Sequence, residues 1–432
     1  MSDIVPPAAR TDEPAAPDGM FVYALKSLGP GLVTGAADDD PSGIATYSQV
    51  GAQFGYSIGW TMLFSWPLMA ATQEIAARIG STTGHGIANN LRRHYPRWVL
   101  ATVVSALLVA NILNLGADLA GMGDAVGLIV GGPAQLWTVA LALLSLLAEV
   151  FVSYPRYATY LKWLTLSLFA YVATVMVSHV DIHAAIVGIV LPSVKFDRAS
   201  MTALVAVLGT TISPYLFFWQ SSQEVEELER RHRKPLFTAP RTSGHELKRI
   251  RIDTLIGMGY SNLIALFIIV ASAAVLHAHG IKNIETSTDA AKALVPFAGR
   301  FAELIFAIGI IGTGLLAVPV FAGTASYAVC ETFRWNMGLD KKLRAARAFY
   351  AVIAGATALG VLIAFSPIPP MKVLYWSAVV NGVLAAPLMI VMLLIASNKR
   401  IMGRLTISWR LRVVGWIAAA AMAAAAIGLF VT

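Results

Sequence analysis

Runs of about 20 apolar residues recur along the whole chain, and a run of that length bounded by charged loops is the pattern of a helix that crosses a bilayer. Scanning for them places eleven spans, at residues 28–49, 56–77, 99–126, 134–153, 160–180, 201–221, 254–277, 301–330, 346–366, 373–396 and 411–431. Composition agrees: only 13% of the 432 residues are charged, where soluble domains carry about 25%. The mean hydropathy of +0.68 fits a molecule whose exterior as well as its core is apolar. The single cysteine, Cys330, excludes an internal disulfide and a cysteine-based metal cluster. Residues 1–20, rich in Pro, Ala and Asp, read as a disordered cytoplasmic tail without the basic start and apolar stretch of a signal peptide, so the first span is expected to direct insertion. Residues 21–432 read as one transmembrane domain.

The loops test the count. With the N-terminus placed in the cytoplasm, 26 of the 32 Lys and Arg residues fall on the cytoplasmic side. Only Lys195, Arg198, Lys282, Lys292, Arg300 and Lys372 fall outside. This asymmetry is what the positive-inside rule requires of eleven spans in a plasma (inner) membrane, with the C-terminus outside. It also accounts for a pI near 9.5 without nucleic acid as a partner. Trp60, Trp66, Trp98, Trp163 and Trp376, near span ends, read as interfacial anchors.

Two spans are interrupted. The first runs Gly35-Ala36-Ala37-Asp38-Asp39-Asp40-Pro41-Ser42-Gly43 through its middle. One charge at bilayer depth costs roughly 2.5–3.5 kcal/mol, so three adjacent carboxylates must face a cavity rather than lipid. Pro41 removes a backbone donor and Gly43 permits unwinding. A plainer reading, in which the span begins after Gly43, leaves residues 28–37 as an orphaned apolar run. The sixth span carries Thr210-Thr211-Ile212-Ser213-Pro214-Tyr215, which alone reads equally well as a Pro kink. Spans one and six are, however, the corresponding first members of two five-helix sets, at about 28–180 and 201–396, with 411–431 as an extra helix. Interrupted helices in corresponding positions of inverted repeats point to a transporter's midplane site.

At these residues the chain resembles the NRAMP family of proton-coupled divalent metal transporters. The similarity covers the Gly29-Pro30-Gly31 start with Asp40-Pro41-Ser42-Gly43, and Gln73-Glu74-Ile75-Ala76-Ala77-Arg78-Ile79-Gly80 with Thr83-Gly84. It continues through Ala117-Asp118-Leu119-Ala120, Gly312-Thr313-Gly314, Ala322-Gly323-Thr324 and Lys399-Arg400-Ile401-Met402-Gly403. It implies a LeuT-like, all-α membrane fold with a 5+5 inverted repeat and broken helices 1 and 6. It implies further a divalent metal as substrate, with no cofactor. The departures are specific: where the family has Asn in helix 1 this chain has Gly43. Its Met-Pro-His in helix 6 is Ser213-Pro214-Tyr215, its second helix 6 His is Gln220, and its helix 3 Glu is Gly121. The family's helix 10 Gln has no counterpart in register, Asn381 being nearby.

Losing a thioether removes the soft ligand that favours Mn and Fe over Mg. What remains is oxygen: the Asp40 carboxylate, the Ser213 hydroxyl, Tyr215, and carbonyls freed near Ala37 and Thr210, with Gly43 giving room. Mg²⁺ binds through one or two carboxylates and keeps several waters. Mg²⁺ transport, with Mn²⁺ in addition, is therefore expected. Asp38 and Asp39 are expected to line a vestibule. With both imidazole positions non-titrating, proton coupling is expected to be weak or absent. Asn111, Asn114 and Asp118 form an i, i+3, i+7 polar stripe. It reads either as a proton path or as a structural stripe in which Asp118 pairs with Arg347. The run Glu224, Glu226, Glu227 and Glu229 reads as a solvated helix end with internal ion pairs. The alternative substrate is an organic cation or amino acid, its ammonium at Asp40 and its body near Tyr215, Phe217 or Phe218. An intramembrane Mg-dependent enzyme lacks a second acidic motif or a nucleophile elbow. The chain is expected to act as a monomer embedded in the lipid bilayer.

Overall fold

The computed structural model describes residues 30–152 and 164–432, and all the regular structure within them is helical. The expected N-terminal tail and the start of the fifth span, with Trp163, lie outside the described residues. The principal helices are α1 (Pro30–Asp38), α2 (Pro41–Phe54), α3 (Trp60–Thr83), α4 (Ile87–His94) and α5 (Arg97–Val130). They continue with α6 (Ala134–Phe151), α7 (Phe169–Val177), α8 (Ile182–Val190), α9 (Arg198–Thr211) and α10 (Pro214–Arg230). The chain ends with α11 (Ser243–Val275), α12 (Ala302–Phe333), α13 (Arg347–Ala364), α14 (Pro370–Ser397) and α15 (Trp409–Val431).

Eight segments among the described residues are long and apolar enough to cross a membrane: α5, α6, α9–α10, α11, α12, α13, α14 and α15. The other three expected spans fall on elements that differ for visible reasons. The first is divided into α1 and α2. The second, α3, carries Gln73, Glu74 and Arg78 in its later turns, with Arg78 bonded to Glu74. The fifth is described only from Leu164, as a 3₁₀ turn running into α7. The short α8 was not among the expected spans; Gly188 lies against the Tyr56 carbonyl, where a Cβ would sit 2.1 Å from the oxygen.

Local chemistry sets the helix ends. Asp40, Asp181, Asp197 and Ser408 cap N-termini with side-chain oxygens. Pro41, Pro214 and Pro370 occupy first helical positions, where a missing N–H costs nothing. The layering follows burial: the apolar stretch of α9–α10 is 94% buried and that of α6 only 28%. The broken helices therefore form the centre and α6 the rim, where Leu136, Leu143 and Leu147 are exposed as a lipid-facing surface requires. Small residues bring the central helices together. A Cβ at Gly35 would lie 2.2 Å from the Gly257 carbonyl oxygen, and one at Gly209 would lie 2.2 Å from that of Ala378. Trp66, Trp98 and Trp376 are exposed, as interfacial anchors should be.

Candidate functional site

The two interruptions share one backbone logic. A helical carbonyl bonds the N–H four residues on, and for Ala37 and Thr210 that residue is Pro41 or Pro214, which has none. The helix therefore stops: residues 39–40 separate α1 from α2, and residues 212–213 separate α9 from α10. The two breaks meet. Tyr215 Oη donates to Asp40 Oδ2 at 3.3 Å, and Thr210 Oγ1 donates to Tyr47 Oη of α2 at 3.0 Å.

Asp40, 3% exposed, accepts from the Gly43 amide at 2.6 Å and from Ser42 Oγ at 2.8 Å, both on Oδ1. Asp38 and Asp39 are each 1% exposed and share a single donor, Ser261 of α11, at 2.7 and 3.0 Å. Asp38 Oδ1 and Asp39 Oδ2 have no hydrogen bond. Neither the Ser261 bridge nor its helix was among the expected site features. Among the described residues, no three His, Cys, Asp or Glu side chains come together to hold a metal ion; oxygen donors of hydroxyls and carbonyls dominate the site.

Two expectations at the breaks are corrected. Gly43 is helical rather than unwound: it lies in the first turn of α2, and its N–H is taken by the Asp40 cap. The Thr210 carbonyl is not free, because Ser213 Oγ donates to it at 2.7 Å and to the Gly209 carbonyl at 2.9 Å. The Ser213 hydroxyl thus satisfies the end of α9 and keeps only its oxygen lone pairs for another partner. Ala37, fully buried, stands at the end of α1 as expected.

The α5 stripe divides. Asn111 Nδ2 donates to the Phe321 carbonyl at 3.2 Å, and Asn114 exchanges amide bonds with Asn381 of α14. Asp118 is fully buried, within electrostatic reach of Asp40 and the Ser42 amide, yet neither carboxylate oxygen makes a hydrogen bond of standard geometry. The expected Asp118–Arg347 pair does not form. Gly116 packs on Gly360, so Arg347, at the other end of α13, is about 20 Å along the helix from the level of Asp118. Arg347 is exposed.

The acidic run of α10 also departs from expectation. Glu224, Glu226 and Glu227 are 1%, 8% and 9% exposed. Glu227 does pair internally, with Arg230 at 2.9 Å and Arg231 at 2.5 Å. Glu224 instead meets Arg249 of α11 at 2.6 Å, and Arg249 also meets Glu246 at 2.6 Å and Asp253 at 3.8 Å. Asp253 in turn accepts the Gly31 amide at the start of α1, at 2.8 Å. Thr34 Oγ1 donates to Gln220 at 2.5 Å. These bonds tie α1, α10 and α11 together and close one side of the site. On the other side a cavity of about 290 Å³ is lined by Ala45, Gln49, Gln53, Met371 and Tyr375. It reaches Ala45, about 7.5 Å of helix rise from Asp40.

An all-helical bundle with two interrupted helices meeting at buried carboxylates defines a multi-span membrane transporter of LeuT-like fold. The fold matches a crystal structure of the Eremococcus coleocola manganese transporter in complex with an aromatic bis-isothiourea substituted compound. The TM-score is 0.76 at 17% identity, over 96% of this chain and 88% of that one. It matches more loosely the closed, bromovinylhydantoin-bound structure of Mhp1, a nucleobase-cation-symport-1 family transporter, with a TM-score of 0.50 at 14% identity, over 93% and 92% of the two chains. Residues 31–432 match the Nramp family, described as natural resistance-associated macrophage protein-like. The chain belongs to that family of transporters and is not an enzyme. It is 26% identical over 405 residues to the divalent metal cation transporter MntH of Burkholderia ambifaria, covering 90% of this chain and 85% of that protein.

Proposed function

We propose that this protein carries a divalent cation, Mg²⁺ foremost and Mn²⁺ in addition, across the plasma membrane by alternating access, without obligatory proton coupling. The observation that carries this reading is the donor set at the breaks. The Asp40 carboxylate holds Ser42 Oγ and Tyr215 Oη in hydrogen bonds, Ala37 and Ser213 stand at the two breaks, and helix α10 brings neither thioether nor imidazole. Such hard donors suit an ion that retains water. A cation here would draw the long Tyr215–Asp40 contact apart and take Asp40 Oδ2 as its anchor, with the Ala37 carbonyl and the Ser213 oxygen completing the shell. Asp38 and Asp39, underprovided with donors, line the approach. The relatives named for divalent metal cation and manganese transport support the substrate class.

Mn²⁺ is favoured by a separate observation. Met122, one turn beyond Asp118 on α5, sets its Sδ against Gly314, and the same point touches the Pro41 ring. A soft atom thus approaches the break from another helix. An organic cation fits less well, because Tyr215 and Phe217 are fully buried and Tyr215 packs on Phe321 at 4.3 Å between ring centroids. Uncoupled transport is supported by Tyr215 and Gln220 standing in hydrogen bonds and by two members of the α5 stripe being held structurally. The architecture proposed is a monomer of eleven spans, N-terminus cytoplasmic, with 28–180 and 201–396 as inverted repeats.

Proteoliposome uptake with a Mg²⁺-sensitive dye and a luminal pH dye tests the reading. Mg²⁺ influx without matching acidification is expected. Asp40→Asn should abolish it while the fold survives, since Asn caps helices as well as Asp does. Robust Cd²⁺ uptake with no response to Mg²⁺ would overturn the hard-site assignment; undiminished influx through Asp40→Asn would remove its anchor.

A further inference from the structure

A second cavity, of about 440 Å³, lies at the membrane-facing junction of α4, α5 and α12, lined by Arg92, Arg97, Arg334, Tyr95, Leu100 and Phe333. It is far in sequence from the helix breaks, and the transport reading gives it no task. Among the described residues none of its three arginines forms an ion pair. The nearby acid, Glu331, is committed elsewhere: it lies buried under the start of α4, accepting the Asn89 amide at 2.9 Å. Arg92 is oriented by its Nε donating to the Glu331 carbonyl at 3.0 Å and its Nη2 donating to Asn89 Oδ1 at 2.8 Å. Burial first, and then the charges of Arg334 and Arg93, hold the Arg92 guanidinium below its ordinary pKa, with Glu331 opposing them.

Two further features place uncompensated positive charge at the same point. Arg97 is the first residue of α5, a helix with no acid in its first turn and no side-chain cap, so its charge adds to the positive end of the helix dipole. Arg334 ends α12 with φ of 62°, a left-handed position where glycine is the easier residue. Beside this charge the surface turns apolar and aromatic. Trp98 is 71% exposed and Phe333 62% exposed, and Phe333 stacks on Trp335 at 5.0 Å. Charge against an aromatic belt is the pattern of a bilayer interface.

We propose that this cavity binds the phosphate of an anionic phospholipid, with the acyl chains lying along Leu100 and the apolar face of α5. A soluble anion would be met by the same guanidinium groups, but it would gain nothing from the exposed Trp98 and Phe333. In the orientation proposed above the cavity opens to the cytoplasmic leaflet, where anionic headgroups reward each basic residue near the surface.

The test uses the full chain in mild detergent. Retention of phosphatidylglycerol and cardiolipin is measured by native mass spectrometry against phosphatidylcholine, with inorganic phosphate as competitor. The anionic lipids should be retained preferentially, and Arg97→Gln with Arg334→Gln should weaken them by about fivefold per arginine, leaving phosphatidylcholine unchanged. Should the double variant not fold, Arg97→Gln alone is read, since that guanidinium has no hydrogen bond to protein among the described residues. Equal retention in variant and parent overturns the site. Displacement by inorganic phosphate at concentrations matching the lipid assigns the arginines to a free anion and overturns the lipid.

Discussion

Asn114 and Asn381 face each other inside the bundle, each donating an amide N–H to the other's oxygen at 2.9 and 3.0 Å. Both are buried, so removing one partner strands the other in an apolar interior, at a cost of about 1–3 kcal/mol. Replacing both by leucine removes the stranded group as well. Thermal unfolding of Asn114→Leu, Asn381→Leu and the double variant should therefore show a favourable coupling of about 0.6–1.7 kcal/mol; strictly additive losses would mean the pair contributes nothing of its own. The same residues show what a sequence reveals at this scale. Asp40 is legible because a carboxylate within an apolar run is conspicuous wherever it folds. Asn114 was visible only as part of a stripe, and its partner lies 267 positions away, on a helix whose register the sequence leaves open. Asp118–Arg347 was a plausible pair by charge alone and fails because helix rise separates the two.

Among elements, α1 is held by few bonds in important places. Its first amide is bound by Asp253, Thr34 reaches Gln220 of α10, and Gly35 lies against the backbone of α11 too closely for any side chain. Arg249 sets the charge balance of this seam, its side chain 4% exposed among Glu224, Glu246 and Asp253, themselves 2%, 4% and 1% exposed. Arg249→Met strips Glu224 of its buried ion-pair partner and leaves Glu246 with Arg233 alone, and breaking such a cluster costs about 3–5 kcal/mol. The seam should then loosen and α1 should part from α10. Thiol labelling of a Thr34→Cys reporter should rise in the Arg249→Met background, while the native Cys330, buried in α12, stays protected. Unchanged labelling at position 34 would show that the cluster is not what keeps this side shut. The breaks themselves were legible from Pro41 and Pro214, since proline's missing N–H acts locally. The seam was not. A run of glutamates beside arginines ordinarily faces water, and only the reach of Arg249 from α11 to Glu224 of α10 converts it into a buried network.

For the whole molecule the decisive quantity is the parity of the spans. Eight described segments cross on length and composition, and α1–α2, α3 and the 164–177 stretch fall short for local reasons: a break, a polar end and a start outside the described residues. The hydropathy count of eleven thus depends on treating a broken helix and a polar one as crossing, and the basic loops are the independent check. Eight basic residues lie between the sixth and seventh expected spans, from Arg230 to Arg251, and the six assigned outside are scattered over three other loops. If all eleven cross, a reporter that needs an oxidising compartment to form its disulfides, fused after Thr432, should be active. The same reporter in the Gly338–Arg344 loop should be silent. If α1–α2 instead entered and left by one face, every later loop would exchange sides: the reporter would be silent at the end and active at 338–344, with 24 of the 26 basic residues on the wrong side of the bilayer. The positive-inside bias acts on short loops near span ends, which describes nearly every loop here, so the odd count is the arrangement this charge distribution supports.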